Sequence, residues 1–272
     1  MSLPGPLRSF WYAVADLGPI ARTTPWGLVK ADPRYPLLWD ANHAAVLEPS
    51  PGLTLAEIRE ELIPVLEAVG AHHDHVEFWD LSVSSPALAE LRASGDRHDP
   101  DVMMVFEDAE ALSPKPPGAE AIGSVQVREI VEPDDAFWGW YRQTRGAFGV
   151  EFSDEVVDQL VDRDREVFHP AGLRWFVGFA DGEMAGFASL ISLERVGYVD
   201  NVVTLERFRR RGVATATVVR AVSESWAGGD ELVHLLAVEG GAPQRLYERL
   251  GFRTLTRVES FTRPLEATGI RE

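Results

Sequence analysis

The chain has 272 residues, 45% hydrophobic and 25% charged, which is the composition of a globular protein with one large or two ordinary domains. The absence of cysteine excludes disulfides, zinc–thiolate sites and a cysteine nucleophile, and the formal net charge of −17 argues against general nucleic-acid binding. No apolar stretch reaches the ~18 residues of a membrane-spanning helix and no secretory signal is visible, so we expect a cytoplasmic protein with no membrane partner.

The first half of the chain alternates strand and helix patterns. The patterns predict, in order, a short helix near Trp11, a strand over 37–47, a helix from Thr54, a strand over 75–81, a helix over 86–93 and a strand over 102–107. Glu57 follows Thr54 at the spacing of a capping box. Pro64 predicts a kink or break in the same helix near Ile63, because proline lacks the N–H that the helix ladder needs.

The segment Lys115-Pro116-Pro117-Gly118 fits a linker better than any other in the chain, and we therefore expect domains over 1–117 and 118–272. The second half is predicted to contain a strand over 125–130, helices over 134–147 and from Ser153 to about 169, strands over 175–180, 183–193 and 196–204, a helix from Gly212, a strand over 232–238, a helix around Tyr247 and a last strand over 258–263.

A basic loop with small residues joins the strand ending at Thr204 to the helix beginning at Gly212. Its pattern, Arg209-x-x-Gly212-x-Ala214, builds an anion site, because small residues let a ligand approach the free N–H groups of the helix's first turn. The positive end of the helix dipole favours a pyrophosphate there. The alternative interpretation of these arginines is a solvated basic patch at a helix start.

After this loop come a second apolar strand and the run Leu246-Tyr247-Glu248-Arg249-Leu250-Gly251-Phe252. The loop and this run together closely resemble the GCN5-related N-acetyltransferase (GNAT) family, over residues 125–264. The resemblance implies a mixed α/β acyl-CoA N-acyltransferase fold. It also implies an enzyme that uses acetyl-CoA as a cosubstrate and transfers the acetyl group directly to a primary amine.

The resemblance also implies roles for individual residues. Backbone groups of Val202, Val203 and Thr204 correspond to those that hold the thioester carbonyl and the pantetheine arm. The positions that correspond to the pyrophosphate site are Arg209, Arg210, Arg211, Gly212, Val213, Ala214 and Thr215. Tyr247 corresponds to the tyrosine that protonates the departing thiolate; simple ring packing is its alternative role.

The sequence departs from the family pattern at Gly240, where many members carry a pantetheine-binding asparagine, and at Pro243, where alanine is frequent. Some members place a glutamate that acts as the general base where this chain has Leu235, so no general base carries over from the resemblance.

The residues themselves offer four candidates for that base, each of which could equally be a surface or strand-end residue: Asp200, Glu194, His234 and Glu239. The run His72-His73-Asp74-His75 is interpreted as a solvated turn rather than a metal site, because adjacent histidines diverge.

The order of elements in the first half repeats in the second, which suggests a degenerate, GNAT-like N-terminal domain. Where the second half has its basic loop, the first has Pro49-Ser50-Pro51-Gly52-Leu53, so we do not expect it to bind coenzyme A in the same way. The N-terminal half would wall the acceptor cleft or form a subunit interface, the latter making a homodimer. A longer acyl-CoA as donor and a non-catalytic acyl-CoA sensor remain alternative functions.

Overall fold

The computed structural model describes residues 2–106, 125–146 and 152–265. The chain forms two compact units, one made of Met1–Val102 with Thr256–Glu272 and the other of Met103–Leu255. The linker expected at 115–118 lies outside the described residues, so the boundary between residues 117 and 118 stays a prediction. Among the described helices, none is long and apolar enough to cross a membrane.

Helices and strands alternate along the described chain. The elements that begin in the first unit are α1 Gly5–Ala15, β1 Ile20–Thr24, β2 Gly27–Ala31, β3 His43–Val46, α2 Leu55–Val69, β4 His73–Phe78, α3 Pro86–Ala93 and β5 Arg97–Phe106. Those that begin in the second unit are β6 Gln126–Ile130, α4 Asp135–Gly146, α5 Asp154–Arg163, β7 Arg174–Ala180, β8 Glu183–Leu193, β9 Val196–Thr204, α6 Val213–Ala227, β10 Leu232–Val238, α7 Ala242–Leu250 and β11 Arg253–Pro264.

The first unit pairs its strands in the order β1-β2-β3-β4-β11, and only β3 with β4 are parallel. From Thr256 onward β11 belongs to this unit, where its Glu259–Pro264 segment pairs with β4. Helix α2 begins with the predicted capping box of Thr54 and Glu57. Its apolar face buries Ile58 and Leu62 against the sheet, which ties the helix to the core of this unit.

Two details of the first unit differ from the sequence expectation. Helix α2 is continuous through Pro64, which lies on its exposed face, because Leu62, Val65 and Leu66 hold both sides of the proline against the core. The strand expected over 37–47 is shorter, because Trp39–Ala41 forms a 3₁₀ turn before β3.

The second unit pairs its strands in the order β6-β7-β8-β9-β10, and only β9 with β10 are parallel. Helix α6 packs closely on β7 at Gly178. A Cβ added there would lie 3.0 Å from the side chain of Val213 and 3.2 Å from that of Thr217. Three antiparallel strands, a helix and a parallel strand therefore follow one another in both units. The mixed α/β fold expected from the sequence is confirmed.

Gly186 of β8 lies close against the backbone of β9. A Cβ there would lie 2.2 Å from the carbonyl oxygen of Val203 and 2.9 Å from the Cα of Thr204. Both obstacles are backbone atoms, which cannot move aside as a flexible side chain does. A glycine at this position keeps the end of β9 in place.

We expect Gly186→Ala to lower the free energy of unfolding by about 1–3 kcal/mol, the usual cost of forcing extra atoms into a packed core. Urea denaturation measures this change. Gly139→Ala in α4 is the matched control, since its new methyl meets open space and a helix favours alanine over glycine by up to about 1 kcal/mol. Equal urea midpoints for Gly186→Ala and the wild type would contradict the close approach.

Candidate functional site

At one point along their pairing, strand β9 has one residue more than the antiparallel strand β8. Phe187 of β8 pairs with Val203, whereas Ser189 pairs with Asp200, so two steps along β8 match three along β9. Asn201 adopts a left-handed backbone with φ of 50°, which is uncommon for a residue other than glycine. This is a β-bulge, which removes backbone N–H and C=O groups from the ladder and turns them aside.

The other side of β9 also opens at this point. Among the described residues, the parallel pairing of β9 with β10 runs from Val196–Leu232 to Tyr198–His234, and both strands continue beyond it. The backbone of Val202, Val203 and Thr204 therefore lies between a bulge on one side and a diverging strand on the other. Such a gap offers unpaired peptide groups to an extended ligand.

The basic loop follows β9 and ends at the N-terminus of α6. Arg210 and Gly212 have φ of 62° and 83°, and these left-handed residues turn the chain sharply into the helix. Helix α6 has no side-chain cap, so the first-turn N–H groups of Val213, Ala214 and Thr215 are offered to a ligand. The N-terminus of α6 therefore has the geometry of an anion site.

The arginines of this loop divide into two groups. Arg209 and Arg210 are exposed and make no ion pair with any residue in the described ranges. Arg211 instead donates two hydrogen bonds to Asp181, at 2.8 and 2.9 Å, and its guanidinium lies 5.4 Å from the ring of buried Phe208. Asp181 sits in the β7–β8 turn with φ of 53°, between two strands that the sequence predicted, but the sequence gave no signal for its pairing with Arg211.

Tyr247 lies on α7 with only 5% of its surface exposed. Burial, and secondarily the negative charge of Asp200, raise the pKa of Tyr247 well above its usual range, so its hydroxyl keeps a proton at neutral pH. The hydroxyl of Tyr198 donates to Asp200 at 3.3 Å. The protonated phenol of Tyr247 and the carboxylate of Asp200 thus act on each other immediately before the bulge in β9.

Residues 134–252 match the sequence profile of the Acetyltransferase (GNAT) family. Residues 134–252 therefore form a GNAT domain. The protein is accordingly an acyltransferase, of the class that depends on acyl-CoA. A search of functionally curated proteins finds no match to the chain.

Solved structures share the fold. A GCN5-related N-acetyltransferase from Kribbella flavida is 17% identical with a TM-score of 0.70, over 98% of this chain and 98% of that one. A functionally unknown conserved protein from Staphylococcus epidermidis is 15% identical with a TM-score of 0.67, over 87% of this chain and 90% of that one. A tandem GNAT protein of the clavulanic acid biosynthesis pathway is 15% identical with a TM-score of 0.56, over 84% and 77% of the two chains.

Four residues of the GNAT domain were candidates for the general base, and their surroundings differ. His234 is fully buried and stacks on Tyr198 at 4.8 Å, and burial lowers its pKa to about 3, so it is a weak base. Glu194 lies in the β8–β9 turn, at the opposite end of β9 from the bulge, and Glu239 is exposed after β10. Of the four, Asp200 stands beside Tyr247.

The loop between β10 and α7 carries the departure from the family pattern at Gly240, whose φ is 71°. Its N–H donates to the Gln244 side chain at 2.7 Å and its carbonyl accepts from Arg245 at 2.6 Å. Two side chains of α7 therefore fix this loop, a role that the sequence did not reveal. Pro243 occupies the first turn of α7, where the missing N–H has no helical partner to lose.

The first unit contains a buried polar cluster around Glu77. This carboxylate accepts from Trp79 at 2.8 Å and lies 3.1 Å from His75 and 3.3 Å from His43. Within residues 2–106, 125–146 and 152–265, no group of three or more His, Asp or Glu side chains could hold a metal ion. Burial, and then the charges of Asp99 and Glu77, raise the pKa of Asp101 to about 6.

We expect Asp101→Asn to stabilise the protein at pH 7 and to leave its stability unchanged near pH 3.5. The folded pKa of Asp101, about 6, lies above its unfolded value of 3.8, so ionisation opposes folding increasingly as the pH rises from about 4 to 6. The amide carries no such cost, and we expect a gain on the order of 1–2 kcal/mol at pH 7 after allowance for solvent screening. Urea denaturation across this pH range measures it. A constant difference from the wild type at every pH would contradict the raised pKa.

Proposed function

We propose that the protein transfers the acetyl group of acetyl-CoA directly to a primary amine, within a ternary complex of enzyme, acetyl-CoA and amine. The observation that carries this proposal is the juxtaposition, in one unit, of an opened and bulged β9, an uncapped α6 N-terminus, and Tyr247 beside Asp200. The opened β9 suits the thioester, the α6 N-terminus suits the pyrophosphate, and Tyr247 with Asp200 suits the proton transfers.

The residues present fit a CoA thioester. Thr204 has a buried hydroxyl that meets no hydrogen-bond partner in the described part of the chain, and the backbone of Val202 and Val203 lies in the gap between the strands. These groups would hold the thioester carbonyl and the pantetheine arm. Arg209 and Arg210, with the N–H groups of Gly212, Val213, Ala214 and Thr215, would hold the pyrophosphate. Arg211 would act through Asp181, by fixing the loop.

In this proposal the carboxylate of Asp200 accepts a proton from the substrate ammonium, and the freed amine attacks the thioester carbonyl. Backbone N–H groups at the bulge stabilise the negative charge that develops on the carbonyl oxygen. The C–S bond then breaks, the hydroxyl of Tyr247 donates its proton to the departing sulfur, and the nitrogen of the new amide gives its surplus proton to the Tyr247 oxygen. Because burial raises the pKa of Tyr247, the phenol is protonated at neutral pH and has a proton to give when the sulfur departs.

The double change Arg209→Glu and Arg210→Glu should weaken binding of coenzyme A by about 10- to 100-fold, equivalent to about 1.4–2.8 kcal/mol. Two cations at the anion site would become anions facing a pyrophosphate. Isothermal titration calorimetry with coenzyme A measures the change. Arg22→Glu, on exposed β1 in the first unit, is the control for altered net charge and should bind as the wild type does. Unchanged binding in the double variant would mean that the loop is only a solvated patch.

A thiol-release assay with acetyl-CoA over a panel of primary amines tests the reaction itself. We expect release with one class of amine, and a 10²- to 10⁴-fold lower kcat in Tyr247→Phe with coenzyme A binding retained, since general acid catalysis contributes about that much. Binding without release on any amine would refute the enzyme reaction and favour an acyl-CoA sensor. Release only from longer acyl-CoA thioesters would replace acetyl-CoA as the donor.

We further propose that the N-terminal half, residues 1–117, is a degenerate GNAT-like domain and that residues 118–272 form a GNAT domain. The shared order of elements supports this, and a tandem GNAT protein is among the similar structures. In the first unit β3 pairs with β4 as far as Val46–Phe78, where both strands end, and the side chain of Glu57 accepts the N–H of Thr54 at the start of α2. A carboxylate of the protein thus occupies the position that an anion would need. A cytoplasmic location and a homodimer remain proposals for the same chain.

A further inference from the structure

The bulge in β9 depends on a residue that is poorly suited to form it. Asn201 holds its left-handed backbone conformation inside a strand, where the ordinary extended conformation competes with it. If Asn201 became extended, the extra residue would be absorbed into the ladder. The following residues would slip by one position, which would turn each of their side chains to the opposite face. Val203, now mostly buried, would then leave the core.

The side chain of Asn201 is tied to the neighbouring elements. Its carbonyl oxygen accepts a hydrogen bond from the guanidinium of Arg145, near the end of α4, and its amide nitrogen lies 3.5 Å from the hydroxyl of Ser189. That hydroxyl donates to the carbonyl of Asp200 at 3.0 Å. Asn201 is therefore held by Arg145 of α4, and the carbonyl of Asp200 is held by Ser189 of β8.

Arg145 is itself held in place. The side chain is 10% exposed, and its second terminal nitrogen lies 3.9 Å from the carboxylate of Asp164. Asp164 is buried at the start of a π-helical turn that follows α5, and its carboxylate accepts the Tyr141 hydroxyl at 2.6 Å. A buried ion pair of this kind adds little net stability, because desolvation offsets the attraction between the charges. Its effect here is to fix where the guanidinium points.

We propose that Arg145 is a positioning residue for acyl transfer: anchored by Asp164, it holds Asn201 left-handed and so keeps the bulge of β9 in register. This inference rests on the proposed function, in which the bulge N–H groups stabilise the thioester carbonyl. Arg145 touches neither the donor nor the acceptor in this role. It acts through the backbone that does.

Arg145→Ala should lower kcat about 100-fold, the loss expected when a reacting group is displaced by about 1 Å. The dissociation constant of coenzyme A should stay within about 2-fold of the wild type, because the anion site at α6 is untouched. Asn201→Ala should lose a similar amount of kcat while leaving the Arg145–Asp164 pair intact. It keeps the inference testable if Arg145→Ala does not fold.

The decisive variant is Asn201→Gly combined with Arg145→Ala. Glycine adopts the left-handed conformation without a tether, so most of the lost kcat should return in the double variant. Arg142→Ala, one turn earlier on α4, removes a partly exposed arginine that pairs with Asp154 and Asp158, and should keep wild-type kcat. Wild-type kcat in Arg145→Ala, or no recovery in the double variant, would overturn the inference.

Backbone hydrogen exchange separates this inference from the proposed function, since it needs no activity. Amide exchange in the peptide covering residues 199–204 should be at least 10-fold faster in Arg145→Ala than in the wild type or Arg142→Ala. Faster exchange in a protein that shows no thiol release with any amine would leave the bulge tether standing and refute the transferase reaction. Equal exchange in all three proteins would refute the tether.

Discussion

The second unit depends on a single extra residue in β9. Continuous pairing with β8 on one side and β10 on the other would leave no backbone group of β9 available. The register shift between Phe187 and Ser189, together with the end of the β10 pairing at Tyr198, changes that at one place. The strand residues proposed to take part in acyl transfer lie around this bulge. Asp200 precedes the extra residue, Val202 to Thr204 follow it, and the loop to α6 begins where the strand ends. Gly186 contributes by letting the two backbones approach closely just beyond the bulge.

Much of this arrangement follows from local sequence patterns. The bounds of β7, β8 and β9 and the start of α6 were predicted within a residue or two, because alternating apolar residues and a glycine at a helix start act over short distances. The family resemblance, carried by the loop and the run around Tyr247, is confirmed by the profile match.

The parts that could not be predicted depend on contacts between residues far apart in sequence. Nothing near Arg211 indicates that it binds Asp181, 30 residues earlier, and nothing near Asn201 indicates Arg145, 56 residues earlier. Asp200 is one of four candidate bases in the sequence, and nothing near it in the chain indicates that its charge acts on Tyr247. Pro64 shows the reverse case, in which tertiary packing on both sides overrides a local helix breaker.

Most of β11 belongs to the first unit although it comes last in the chain, and this affects how the chain folds during synthesis. The sheet of the first unit needs the Thr256–Pro264 segment beside β4, and a hydrogen bond between His75 and Thr262 spans 187 residues. A ribosome would therefore have to release nearly the whole chain before the first unit could complete its sheet. Contacts of such long range are slow to form, since the intervening loop must be closed first. The N-terminal unit, although made first, would finish folding last, with the edge of β4 open to wrong partners until then.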